Sequence, residues 1–217
     1  MPLQLATPPP NSYDLIAQAI SRVSTAGGAA AVLANIRDPS QISAALPHQV
    51  YALSSNDIAR GRRVDGARLT SWRFLVQYRA STIAAIEFTV DAAGRNMQFG
   101  SLDTGPFAKA TRDVATRAEG MDTVKQGSFE LRALKAPSVY AFAVWLKNLG
   151  AGDDIVIPLQ PTGPRAMRPA TEGGAGPQSP KDFLQTLQPA AATQLQFDSA
   201  PGGGTPSGGG TGSKSER

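Results

Sequence analysis

The residues whose types and setting stand out for chemistry are one histidine, a few strand-borne carboxylates and an arginine-rich stretch, and the sequence contains no cysteine. That composition removes disulfides, thiolate metal sites and a cysteine nucleophile together. His48 is flanked by Pro47 and Gln49, which reads as a loop entering a strand and places the imidazole at the surface. A catalytic histidine needs a nucleophile or a carboxylate beside it, and metal sites draw on several ligands. Glu87 and Glu130 each fall in apolar, strand-like segments, which makes them the candidates for perturbed carboxyl groups. On a sheet with one wet face, an outward-pointing glutamate is the simpler expectation for both. No catalytic, cofactor-binding or metal-binding residue is assigned.

The strongest local anomaly is basic. Arg60, Arg62, Arg63, Arg68, Arg73 and Arg79 share residues 60–79 with a single acid, Asp65. A basic loop running into a strand that carries Trp72, Phe74 and Tyr78 is a pattern able to hold phosphates and stack bases. The competing reading is a solvated, charge-blunted sheet edge, with Trp72 and Phe74 turned into the core and Arg73 to the opposite face. The formal net charge of +4 is too mild to decide between them. Asp153 and Asp154, next to Gly150 and Gly152, are too short a run for a calcium loop and read as a hairpin turn. No glycine-rich phosphate loop follows a strand, and no Gly-x-Ser-x-Gly elbow occurs.

The elements that must position these residues follow from periodicity. Leu15, Ile16, Ala19, Ile20 and Val23 recur on one face of a helix capped by Asn11 or Ser12 and stopped at Gly27 and Gly28. Residues 29–36 read as a further short apolar stretch, and residues 39–46 as one or two helical turns closed by Pro47. Residues 50–53 read as a short strand and residues 54–61 as a capped helical turn. Residues 69–101 carry the clearest sheet signal, with alternating and β-branched segments and a hairpin turn at residues 91–95. A helix then starts at Pro106, with Phe107, Ala110, Thr111, Val114, Ala115 and Ala118 on one face, and ends at Gly120. Strands follow at residues 129–134, 139–146 and 155–159, with a helix the competing reading of residues 139–149, since Val139, Phe142, Leu146 and Leu149 also fit a helical stripe.

The predicted fold is therefore a single α+β domain over residues 11–159. It is an antiparallel meander of six or seven strands packed on two main helices, with a more polar outer face free for docking. Residues 1–10 are expected to be a mobile Pro-rich lead-in. Residues 160–217 are expected to be a Pro/Gly-rich disordered tail with a short helix at residues 181–187, which proteolysis would trim.

The segments Tyr51-Ala-Leu, Trp72-Arg-Phe-Leu, Gly105-Pro-Phe-x-x-Ala-Thr, Glu130-Leu-Arg-Ala-Leu, Ala143-Val-Trp-Leu and Asp154-Ile-Val-Ile-Pro-Leu, in that order, resemble a group of uncharacterised bacterial proteins. The resemblance implies a shared fold over about residues 48–160 and no activity. No Sec signal and no membrane span are legible, so the cytoplasm is the default compartment, and a signal-independent export route would leave no mark. The leading functional expectation is a non-enzymatic binding, adaptor or scaffold protein with a protein partner or self-association, such as an accessory subunit of a bacterial assembly. Nucleic-acid or polyanion binding through the six arginines is the second reading, and a cryptic enzyme the third.

Overall fold

The computed structural model describes residues 3–26, 36, 38–159 and 176–199. Its centre is one eight-stranded sheet of β1 (Leu3–Leu5), β2 (Ile42–Ala52), β3 (Arg68–Tyr78), β4 (Ser81–Thr89), β5 (Gln98–Asp103), β6 (Phe129–Ala136), β7 (Ala141–Asn148) and β8 (Ile155–Pro158). Five α-helices are present among the described residues: α1 (Ser12–Ala26), α2 (Ser55–Ala59), α3 (Pro106–Gly120), α4 (Asp122–Gln126) and α5 (Pro180–Ser199). No helix among them is long and apolar enough to cross a membrane.

The sheet is mixed α+β architecture with mostly antiparallel pairing, in the order β5-β4-β3-β2-β6-β7-β8. It departs from a simple meander at its centre, where β2 and β6 run parallel, from Gln49 opposite Arg132 to Ala52 opposite Lys135. Two antiparallel meanders, β2–β5 and β6–β8, are thus joined side by side, and α3 and α4 lie in the connection between them. Parallel pairing requires a crossover, and the helical segment supplies it.

Both faces of this sheet are covered. On one, Trp72, Phe74, Val76, Ala84, Ile86 and Phe88 pack against Ile16 and Ala19 of α1. Further along the same face, Leu134, Ala143, Trp145 and Val156 pack against Phe183, Leu184, Leu187 and Ala191 of α5. On the other face, α3 seats Ala108 on Leu75 and Ala85, and Val114, Ala115 and Ala118 on a cluster that includes Leu131, Ala133, Val144 and Leu146. A sheet buried on both sides needs apolar residues in both phases, which explains the unbroken apolar run of β7. The expected polar outer face is thus largely covered among the described residues, and only a strip of partly buried polar side chains, Gln49, Glu130 and Arg132, remains between α1 and α5.

Three further expectations change. Residues 3–5 are not part of a mobile lead-in: β1 pairs parallel with β6, Leu3 opposite Phe129, and Leu3 is buried in the core. Residues 42–46 are strand and not helical turns, because pairing with β3 across Ile42–Tyr78 and Ala45–Leu75 satisfies more backbone than an isolated turn would. The domain also does not end at residue 159. α5 runs for 20 residues where a short helix was expected, and four of its apolar side chains are buried. Residues 27–35 and 37, and the tail positions 160–175 and 200–217, lie outside the described residues. Limited proteolysis is expected to leave residues 180–191 bound to the resistant core, recovered by mass spectrometry with the fragment that carries Trp145.

Candidate functional site

The sheet brings together an ion network that no local motif announces. Arg73 stands opposite Glu87 across β3 and β4, and opposite His48 across β3 and β2. All three lie on the face that α3 covers. Arg73 is only 4% exposed and bonds Asp103 at 2.9 Å, with Glu87 at 3.7 Å. Glu87 in turn accepts from Ser71 Oγ at 2.7 Å and from Lys135 Nζ. Asp103 closes the group at the start of α3, where its second oxygen accepts from the Gly105 N–H at 2.8 Å. The Phe142 ring lies against both cations, Arg73 at 5.0 Å and Lys135 at 5.4 Å from its centroid. Burial alone would raise the Glu87 carboxyl, but Lys135, Ser71 and Arg73 outweigh it and hold the group below its ordinary range.

His48 is fully buried, against the expectation of a surface loop. The reason is a bulge: one extra residue lies in β2 between Ala45 and His48, where Leu46 takes a positive φ of 47° and Pro47 fits without a ladder hydrogen bond. Pro47 therefore marks an irregularity inside an inner strand and not the strand's entrance. His48 Nδ1 lies 2.6 Å from the Leu46 carbonyl; a carbonyl only accepts, so the proton sits on Nδ1 and Nε2 carries the lone pair. Burial pushes the imidazole pKa down to about 4, with the Leu46 bond opposing and Arg73 reinforcing. Among the described residues no carboxylate or hydroxyl bonds Nε2, so a catalytic dyad is not formed.

Glu130 is likewise paired, accepting from Arg132 Nε at 2.6 Å on the opposite face. Arg132 also lies over Tyr51 and Trp145, at 5.0 and 5.1 Å from their centroids.

The six arginines do not form one surface. Arg68 opens the 11-residue β3 and Arg79 follows its last residue, roughly 35 Å away. Arg79 sits in the β3–β4 turn at φ 49° and donates to Gln41. Arg73 is buried and faces α3. Arg60, Arg62 and Arg63 stay together after α2, with Arg62 paired to Asp57 at 3.3 Å and Arg63 to Asp65 at 3.5 Å.

Arg62 and Arg63 border a cleft of about 640 Å³ between the 61–65 loop, the 148–154 turn and the start of α5. Its floor is built around Lys147, which bonds Asp65 at 2.8 Å and Asp154 at 3.2 Å. Asp154 also accepts from Trp145 Nε1 and from the Asn148 N–H, both at 2.9 Å. That carboxylate therefore fastens the β7–β8 hairpin, consistent with a turn and not an ion loop. Asp65 is held below its ordinary range by Lys147, and Lys147 above its own by Asp65.

Sequence reasoning missed Lys135, Asp103 and Lys147. Each is a single charge on or at the end of a strand, and only the cross-strand register shows its partner. No protein-family model matches the chain, and neither a curated protein nor a solved structure does.

Proposed function

We propose that this chain is a non-catalytic binding module that acts as an adaptor or scaffold. The observation that carries the reading is that its best candidates for acid–base chemistry are engaged within the fold. Glu87 is held by Ser71, Lys135 and Arg73, Glu130 by Arg132, and His48 is sealed inside β2 with its Nδ1–H donated to the Leu46 carbonyl. A general base must reach the proton it removes, within hydrogen-bond distance of a bound substrate. Both carboxylates already accept from cations of the fold, and the imidazole is buried away from solvent. The test is complementation of a strain lacking the gene by His48→Asn and Glu130→Gln variants whose folding is checked by circular dichroism. Full complementation is expected, and loss of function with the fold intact would overturn the reading.

A second reading, binding of an anionic ligand in the cleft, is favoured by the balance of its charges. Arg62, Arg63, Lys147 and Lys181 line it against Asp65, Asp153 and Asp154, an excess of one positive charge, and the pairs of Arg62 with Asp57 and Arg63 with Asp65 are exposed ones. Arg60 is close in sequence, whereas Arg68, Arg73 and Arg79 do not join this group. Fluorescence anisotropy with labelled duplex DNA is expected to give weak binding that falls with salt, with a log–log slope of about −0.9 per phosphate contacted. Absence of binding at low salt removes this reading.

A further inference from the structure

We infer that β5 is a self-association edge, through which two copies of this chain pair antiparallel into one continuous sheet. The inference rests on the binding-module reading and names its partner. The two edges of the sheet are treated differently. At β8, Gln178 exchanges both backbone hydrogen bonds with Val156, 2.9 Å each, and α5 follows directly to cover the strand. At β5, no strand among the described residues pairs with the outer edge. An edge strand presents a row of unpaired N–H and C=O groups, and natural sheets blunt such rows with charge or proline. Residues 96–102, Asn-Met-Gln-Phe-Gly-Ser-Leu, hold neither, and the one charge of β5, Asp103 at its end, is bonded to Arg73.

Phe99 adds an apolar anchor. It is 47% exposed while its ring contacts Phe88, and Phe88 contacts Phe74 beneath α1. The aromatic row thus runs from the core out to the open edge, and Tyr13 of α1, 53% exposed, lies against Phe74 on the same face.

A second copy suits this edge better than a foreign strand for two reasons. Antiparallel self-pairing within residues 96–102 sets no like charges opposite one another, in any register. Pairing also closes: once two β5 edges meet, both remaining edges are β8, each already bridged by its own Gln178, so the assembly stops at a two-fold dimer and does not grow into a fibre. Gly100 is the extra residue of a bulge, since Glu87 faces Ser101 and Phe88 faces Phe99. The bulge twists the edge and limits the interface to a few residues, so the dimer is a weak one.

The test is sedimentation equilibrium of the full chain from about 1 to about 200 μM, the range in which small interfaces associate. The average mass is expected to rise from the chain mass toward twice that value. Phe99→Lys and Ser101→Lys both alter exposed side chains and would each place two lysines at the pairing edge; each is expected to weaken association at least tenfold. Phe197→Lys, at a residue of α5 that is 69% exposed, is the control and is expected to change nothing. Hydrogen exchange at the two ends of the concentration range is expected to show added protection confined to residues 97–103. A monomer throughout, association unchanged by both edge variants, or association lost with Phe197→Lys would each overturn the inference. Complementation by the His48→Asn and Glu130→Gln variants reads the binding-module proposal separately, so the two can fail independently.

Discussion

Glu87→Gln is expected to lower the stability of the folded chain by about 3–5 kcal/mol, measured by urea unfolding at neutral pH. The substitution keeps the shape of the side chain and removes its charge. Lys135 then loses its carboxylate, and Arg73, which is almost wholly buried, keeps only Asp103. Two cations would remain against the same Phe142 ring with one anion between them. Leaving a buried charge uncompensated is the costly step, whereas removing both partners of a pair is far less so. The double variant Glu87→Gln with Lys135→Met is therefore expected to recover a large part of the loss. Strict additivity of the two single variants would show that the network is not cooperative. Asp113→Asn provides the contrast: its pair with Lys109 is an exposed i,i+4 contact worth about 0.5 kcal/mol or less.

The second large effect is acid destabilisation through His48. Its folded pKa of about 4 lies below the ordinary 6.5, so the unfolded chain binds a proton that the folded chain refuses. Stability is then full above pH 6.5 and falls as the pH drops toward 4, by about 1.4 kcal/mol per unit and about 3 kcal/mol in all. The groups facing the imidazole act in both directions. Arg73 and Lys135 oppose its protonation, and Glu87 favours it. Glu87 itself, with a lowered pKa, contributes stability that is present above its ordinary 4.5 and lost as the pH falls through its folded value. The two windows are separable because His48 acts first. A His48→Asn variant is expected to show a flattened stability profile between pH 6.5 and 5. Parallel profiles for the variant and the parent chain would exclude His48 as the source.

Both predictions concern residues whose types were visible from the start but whose surroundings were not. Glu87 was legible as a strand glutamate among apolar neighbours, and the alternation of β3 correctly set Arg73 on the face opposite Trp72 and Phe74. Helix periodicity placed α1 and α3, and the apolar segments placed β3, β4, β6, β7 and β8, since each of these signals lies within one element's own length. The hairpin at residues 91–95 was likewise local, with Gly94 at φ 73° and Asp91 accepting from the Ala93 and Arg95 N–H groups.

What the sequence could not determine is which strands meet. The parallel joint of β2 and β6 brings residues 49–52 beside residues 132–135, and no local pattern encodes a pairing over that distance. That joint decides that Lys135 reaches Glu87 and that α3 spans both halves of the sheet. Crowding by α1 and α5 on one side and α3 on the other turned an expected wet face into a second core, and so converted an outward glutamate and a loop histidine into buried groups. Side-chain period is set by the backbone of one strand and can be read from its residues; burial is set by what packs on top, and only the tertiary structure supplies that.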